Sequence, residues 1–254
     1  MKLQGVSSLS LFQTDYTALS SGSKINSAAD NAAGLAISNK LQAQSNGLLV
    51  ASSNAKAGQD MLRVADGALA TMQDSLQRIR ELSVKAGNGI YTASDLKSIQ
   101  QEIDGLKQDI QGAAKGTNFN TKKLLDGSTA DLNLAVNPQG NGRKIQMADT
   151  TLETLGIADY DITNHIDFQA IDRAIEMVSE ARGSMGAQSN ALDYTINVND
   201  ITRINTVSSI SKITDTDYAE EITEQKKNQV VDQYKIFTQK AQMQNQSAVL
   251  KLFT

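Results

Sequence analysis

The feature that most constrains this chain is a run of apolar residues whose spacing alternates between three and four positions. It lies between residues 45 and 85 and comprises Leu62, Ala65, Leu69, Met72, Leu76 and Ile79. Such spacing returns to one face of an α-helix every two turns and is typical of a coiled-coil seam. The run holds no proline and ends at Gly87, Asn88 and Gly89. It predicts a helix of roughly forty residues, about 60 Å long, which needs other helices packed along it.

Two later segments have the same spacing. A second helix is predicted from Ser94, placed as its N-cap, to Gly112 or Gly116. A third helix is predicted to begin near Asp167, and Arg182 is the one polar residue in its seam. The seam residues expected to hold the bundle together are Leu62, Leu69, Leu76, Leu96, Ile103, Ile171 and Ile175.

The remaining segments have a different character. Residues 117–150 contain short stretches of alternating apolar and polar residues separated by Gly and Asn-Pro turn signals, which predict small β-hairpins. Residues 1–29 and 214–254 are polar, and their apolar stripes are thin, so neither would be a stable helix alone. The predicted fold is therefore mainly α, a long antiparallel helical bundle or coiled-coil rod with a small β-hairpin region.

Composition argues against most kinds of chemistry. Acidic residues outnumber basic ones by 28 to 24, which disfavours a nucleic-acid partner. The chain has no cysteine and one histidine, His165, so thiol nucleophiles and zinc clusters lack their ligands. Since the catalytic motifs that bind phosphate or zinc are also missing, we expect no enzyme activity, no cofactor and no metal. No apolar run is long enough to span a membrane, and no pattern of a cleaved signal peptide opens the chain, so we expect no membrane partner.

Six motifs follow one another along the chain. Residues 19–37 read LSSGSKINSAADNAAGLAI, which resembles the hallmark block near the N-terminus of bacterial flagellins. LQRIRELSV at 76–84, SDL with a following IQ at 94–100, and TNFN at 117–120 are similar to family segments. So are MGAQSNALDYTIN at 185–197 and KITDTDYAE at 212–220. The resemblance covers nearly the whole chain.

This resemblance implies a structural subunit that polymerises into the bacterial flagellar filament for motility. It implies an inner domain in which terminal helices of residues 1–29 and 214–254 pair as a coiled coil, and a helical rod domain of residues 30–213 with hairpins at about 117–150. The implied partners are further copies of the chain as a homopolymer, a flagellar export chaperone and a cap protein. The implied location is extracellular, in the flagellum, after secretion through the flagellar export apparatus. The variable outer domains of many flagellins are missing, so the chain resembles a minimal form.

Two alternatives stay open at this point. One is the flagellin-like hook–filament junction protein, although that protein usually carries a proline-containing segment where residues 28–33 here read AADNAA. The other is a coiled-coil scaffold or adhesin that forms no filament. Eighteen residues precede the LSSG block, fewer than is usual in flagellins, which leaves open whether the chain forms filaments alone.

One interaction surface is carried over from the family. This region resembles the surface of many flagellins that the host flagellin sensor, Toll-like receptor 5, engages. The contacts implied by the resemblance centre on Arg78, Leu82 and Glu102. Arg78, Glu81, Leu82 and Lys85 have the spacing of one helix face. We expect this face to pack on a neighbouring subunit and to be the candidate receptor contact. The predicted face comprises Gln77, Arg78, Glu81, Leu82, Lys85 and Glu102.

Overall fold

The computed structural model describes residues 16–252, with side chains to residue 245. Its long helices are α1 (Ala28–Ala86), α2 (Ala93–Gly116), α3 (Phe168–Thr214) and α4 (Tyr218–Leu252). Two antiparallel hairpins lie between α2 and α3. They are formed by strands β1 (Asn118–Phe119) and β2 (Lys122–Lys123), and by β3 (Asp131–Ala135) and β4 (Gly142–Gln146). The predicted mainly helical fold with a small hairpin region is confirmed.

The chain divides into two compact units. One is Ser45–Arg203, and the other contains the described residues of Met1–Gln44 and Ile204–Thr254. The resemblance implies domain boundaries at 29/30 and 213/214. The compact units divide the chain at other positions, and the implied boundaries stay a prediction. Residues 1–15 lie outside the described residues. They include about half of the predicted N-terminal inner segment and most of the eighteen residues before the LSSG block.

Helix α1 begins earlier than the seam predicted, because the alanine-rich block continues the helix toward the N-terminus. Asn31, with φ −161° and ψ 91°, is its one non-helical position. Helix α2 is capped by Thr92, and the prediction of Ser94 as N-cap was wrong. The Thr92 hydroxyl accepts a hydrogen bond from the Asp95 amide at 3.3 Å, and Asp95 Oδ2 accepts one from the Thr92 amide at 2.9 Å. This reciprocal pair requires a carboxylate three residues after the cap, and Asp95 satisfies that spacing for Thr92 only.

The seam residues of the three helices in Ser45–Arg203 form one hydrophobic core. Leu62, Leu69, Leu76, Ile103 and Ile171 are buried in it, and Leu96 and Ile175 pack against it partly exposed. Most of the side chains that fill this core are aliphatic, which agrees with the small number of aromatic residues in the chain.

The β3–β4 hairpin packs on α1 where two glycines provide room. A Cβ at Gly58 would lie 2.3 Å from Leu134 Cδ1, and one at Gly47 would lie 2.9 Å from Pro138 Cβ. The two glycines are eleven residues apart, roughly three helical turns, so they lie on the same face of α1. Periodicity did not reveal this slot, because a glycine carries no apolar side chain to count.

Amide side chains from two helices hold the hairpin in that slot. Asn54 of α1 donates to the Ala135 carbonyl at 2.9 Å, and Asn199 of α3 donates to the Val136 carbonyl at 3.0 Å. Gln188 accepts from the Gln146 amide and donates to the Gln146 carbonyl, as a neighbouring strand would. These bonds satisfy strand-edge groups that would otherwise be free to pair with another chain.

The segment between β4 and α3 is ordered by contacts with the helices. Tyr160 is buried, and its hydroxyl contacts Ser83 Oγ at 2.7 Å, while Ser83 donates to the Ile79 carbonyl at 2.7 Å. Burial raises the pKa of Tyr160, so this group stays a neutral hydrogen-bond donor at neutral pH. Gln100 and Lys107 of α2 bond backbone atoms of the same segment.

In the second unit, a short antiparallel bridge joins the two parts of the chain. The Lys24 amide donates to the Thr214 carbonyl at 2.7 Å, and the Thr216 amide donates to the Gly22 carbonyl at 3.0 Å. Gly22 has φ +70° there, a conformation that favours glycine. The bridge therefore holds the start of α1 and the start of α4 together.

Candidate interaction surface

An exposed network of charges joins α1 to α2 at the predicted face. Arg78 donates to Glu102 Oε1 from Nη2 at 2.8 Å and from Nε at 3.0 Å, and to Glu81 Oε2 from Nη1 at 3.1 Å. The hydrogen bonds that Arg78 donates to Glu102, and then to Glu81, raise the pKa of Arg78 above its usual value. Because the three side chains are solvent-exposed, the network orients the guanidinium more than it stabilises the fold.

The structure corrects the predicted face at one residue. Gln77, Arg78, Glu81, Lys85 and Glu102 are exposed. Leu82, in contrast, is only 2% exposed and belongs to the hydrophobic core. It lies three residues after Ile79 and so continues the seam of α1, a signal that the spacing already contained. The exposed apolar side chain nearby is Val84, which the sequence did not single out.

Two further arginines connect α1 with α3. Arg182, the polar residue in the third seam, donates to Asp66 at 2.9 Å and to Gln73 at 2.8 Å. Arg80 donates to Asp172 at 2.7 Å. The hydrogen bond that each arginine donates to its partner carboxylate is the main cause that raises the pKa of that arginine. These contacts explain why a charge interrupts the seam: it pairs at the margin of the core.

An apolar ridge on α3 is exposed within Ser45–Arg203. Tyr194, Val198 and Ile201 follow the i, i+4, i+7 spacing of one helix face, and they are 71%, 42% and 61% exposed. Neighbouring positions on the opposite face, Leu192 and Ile196, are buried in the core. Within the unit Ser45–Arg203, the helix therefore has a second apolar face that the other residues of that unit leave exposed.

A second ridge of the same spacing lies on α4, in the other unit. Val230, Tyr234 and Phe237 are each exposed over more than half of their surface. These residues belong to the thin apolar stripe of residues 214–254. We define the α3 ridge as Tyr194, Val198 and Ile201, and the α4 ridge as Val230, Tyr234 and Phe237.

The loop around His165 carries several acidic residues. His165 is exposed and does not cap α3. The cap is Asp167, whose Oδ1 accepts from the Gln169 and Ala170 amides at 3.0 and 3.1 Å. Across residues 16–252, no group of three His, Cys, Asp or Glu side chains is arranged to hold a metal ion. None of the helices described in that range is both long and apolar enough to cross a bilayer.

Comparison with known families gives two matches. Residues 3–130 match the model of the bacterial flagellin N-terminal helical region, and residues 168–253 match that of the C-terminal helical region. Among curated relatives, the flagellin of Bacillus subtilis (strain 168) is 36% identical, over 87% of this chain and 86% of its own length. The flagellar filament 33 kDa core protein of Treponema phagedenis is 34% identical, over 87% of this chain and 85% of its own.

Solved structures share the fold. The crystal structure of Bacillus cereus flagellin is 28% identical with a TM-score of 0.52, over 57% of this chain and 88% of the crystallised one. A hook-associated protein from Vibrio parahaemolyticus, described as putative and flagellar, has a TM-score of 0.63 at 16% identity. The match spans 73% of this chain and 100% of the Vibrio parahaemolyticus protein. The second likeness concerns the fold alone.

Proposed function

Because this chain belongs to the bacterial flagellin family and is a flagellar filament subunit, we propose that its copies join through the α3 and α4 ridges. The observation that supports this proposal is the exposure of two apolar faces with helical spacing on the single chain. In a soluble monomer, exposed apolar side chains are scattered, and an ordered row of them marks an interaction site.

The strength of one ridge favours a polymer over a pair. Full burial of an apolar side chain contributes roughly 1.5–3 kcal/mol, so three of them contribute at most about 9 kcal/mol. Association of two proteins costs roughly 4–15 kcal/mol in lost freedom and ordering. Burial of one ridge therefore contributes a free energy similar to the cost of association. A subunit that buries both ridges against several neighbours gains more than that cost and binds stably. Contacts between different surfaces of identical subunits produce an open helical assembly when the rotation from one subunit to the next does not close into a ring.

The domain arrangement and the location follow as parts of the same proposal. Residues 1–29 and 214–254 form the inner coiled-coil domain, and residues 30–213 form the surrounding rod domain. The subunit is secreted through the flagellar export apparatus, has an export chaperone and a cap protein as partners, and functions outside the cell. Its role is structural and not enzymatic.

The exposed part of the predicted face serves assembly first. Arg78 and Glu102 are held in a fixed geometry by their hydrogen bonds. A fixed arrangement of charges suits an interface whose partner is complementary in charge and shape. We propose that a neighbouring subunit covers this face in the filament, and that Toll-like receptor 5 binds it on the free subunit. The hook–filament junction protein and the scaffold or adhesin are not favoured, because both ends of the chain match flagellin regions.

Seeded elongation, followed by electron microscopy, tests the role of the α3 ridge. The test variant is Tyr194→Ser/Val198→Ser/Ile201→Ser. Its matched control is Val64→Ser/Met177→Ser, which removes two exposed apolar side chains that belong to neither ridge. We expect the wild type and the control to extend filament fragments and the ridge variant to remain soluble and folded. Elongation by the ridge variant at the wild-type rate, or failure of the wild type to elongate, would overturn the proposal.

A further inference from the structure

The chain contains three Asn-Gly pairs, namely Asn46–Gly47, Asn88–Gly89 and Asn141–Gly142. A glycine after asparagine leaves the backbone nitrogen unshielded by a Cβ, so that nitrogen can approach the asparagine side-chain carbonyl. We infer that Asn88 is a site of spontaneous deamidation in the folded protein, and that the fold protects the other two asparagines.

The Asn88–Gly89 pair is free to react. It lies in the link between α1 and α2, and both residues are exposed. Within the described part of the chain, neither the Asn88 side chain nor the Gly89 amide has a hydrogen-bond partner. No atom outside the immediate neighbours lies within 4 Å of the position that a Cβ on Gly89 would occupy. The link can therefore reach the conformation that brings the Gly89 nitrogen to Asn88 Cγ.

The other two pairs are held by secondary structure. Gly47 lies inside α1, where its amide donates a hydrogen bond within the helix, and Pro138 packs directly on Gly47. Gly142 is in register with Ala135 in the β3–β4 hairpin, and the Asn133 side chain lies over it. The Asn141 carbonyl also accepts from the Val136 amide. Reaction at either pair requires the helix or hairpin to open first.

The chemistry needs only water. The Gly89 nitrogen attacks Asn88 Cγ and a new C–N bond forms. The Cγ–Nδ2 bond breaks, and the side-chain amide nitrogen leaves as ammonia after taking up the proton lost from the Gly89 nitrogen. Water then adds to either carbonyl of the resulting succinimide ring. Opening the ring produces aspartate or isoaspartate, and no oxidant or reductant takes part.

The product changes the local electrostatics of the link. A carboxylate appears just beyond the C-terminus of α1, where the helix carbonyls already present partial negative charge. Lys85, which lies 5.8 Å from the centre of the Tyr91 ring, is the nearby cation. An isoaspartate also lengthens the backbone of a short link by one carbon atom. Older subunits would therefore carry one more negative charge at this position.

Peptide mapping by mass spectrometry tests the inference. The full chain is incubated at mildly alkaline pH, folded or in denaturant, and the fraction of each asparagine converted from amide to acid is followed over time. In the folded protein we expect Asn88 to convert at least about tenfold faster than Asn46 and Asn141, because opening a helix or strand needs more free energy than that factor represents. In denaturant the three rates should become similar.

The matched variant is Gly89→Ala, which the open space at that position accommodates. It should keep the circular dichroism spectrum and lose most of the conversion at Asn88. Equal rates at the three sites in the folded protein would overturn the inference, as would an intact Asn88 under conditions in which the unfolded chain reacts.

Discussion

Replacing Gly58 by alanine tests whether the hairpin slot on α1 is set by packing. In a helix interior, alanine is more favourable than glycine by about 1 kcal/mol. At Gly58 the added methyl group would lie 2.3 Å from Leu134 Cδ1 and 3.2 Å from Leu192 Cδ1, so Leu134 has to move. Overpacking of this kind typically costs about 1–3 kcal/mol. The propensity gain is offset, and the net effect on stability should lie between zero and about 2 kcal/mol of destabilisation.

Gly67 supplies the control, because it lies in the same helix and a Cβ there would meet no atom within 4 Å. Gly67→Ala should stabilise the protein by roughly 0.5–1 kcal/mol. Urea unfolding of both variants, followed by circular dichroism, measures the difference, with an unchanged m-value as evidence that unfolding remains comparable. Adding Leu134→Ala should remove the clash, so that Gly58→Ala becomes favourable in that background. If Gly58→Ala and Gly67→Ala raise stability equally, glycine at position 58 is not required for packing and the slot is incidental.

Three other substitutions test the core, the buried hydrogen bond and the helix cap. Leu69→Asp places a charge at a fully buried seam position and should destabilise Ser45–Arg203 by more than about 4 kcal/mol; a cooperative, near-native thermal transition by circular dichroism would show that the seam is misassigned. Tyr160→Phe removes the bond to Ser83 and should lower the unfolding free energy by about 1 kcal/mol, whereas Tyr194→Phe, at an exposed position, should leave it unchanged. Hydrogen bonds from Thr92 lower the pKa of Asp95 below its usual 3.8, so its stabilising effect is present above that value and is lost as the pH falls through the lower folded pKa. Asp95→Asn should therefore be less stable than wild type at pH 7 and equal to it in strong acid, and a stability gap that persists in acid would contradict the capping role.

The long helices could be predicted from the sequence because their signal is local and repeated. A seam residue every three or four positions marks the buried face over many turns, so an error at one residue does not shift the rest. Leu69, Ile103 and Ile171 lie in the core for this reason. The errors occurred where one position had to be chosen. Ser94 and Thr92 are both residue types that cap helices, and only the carboxylate of Asp95, three residues after Thr92, distinguishes them. Leu82 has the spacing of the exposed face as well as that of the seam.

The helical seams, the hairpins and the family of the chain can be recognised in the sequence, since each depends on patterns among residues close in the chain or on motifs in order. Which surfaces are covered depends on contacts between distant segments. Arg182 pairs with Asp66 across 116 positions, and Tyr160 reaches Ser83 across 77. Gly58 accommodates a leucine from a distant hairpin. A contact between distant segments depends on how helices and loops pack in three dimensions, and no local period encodes that arrangement.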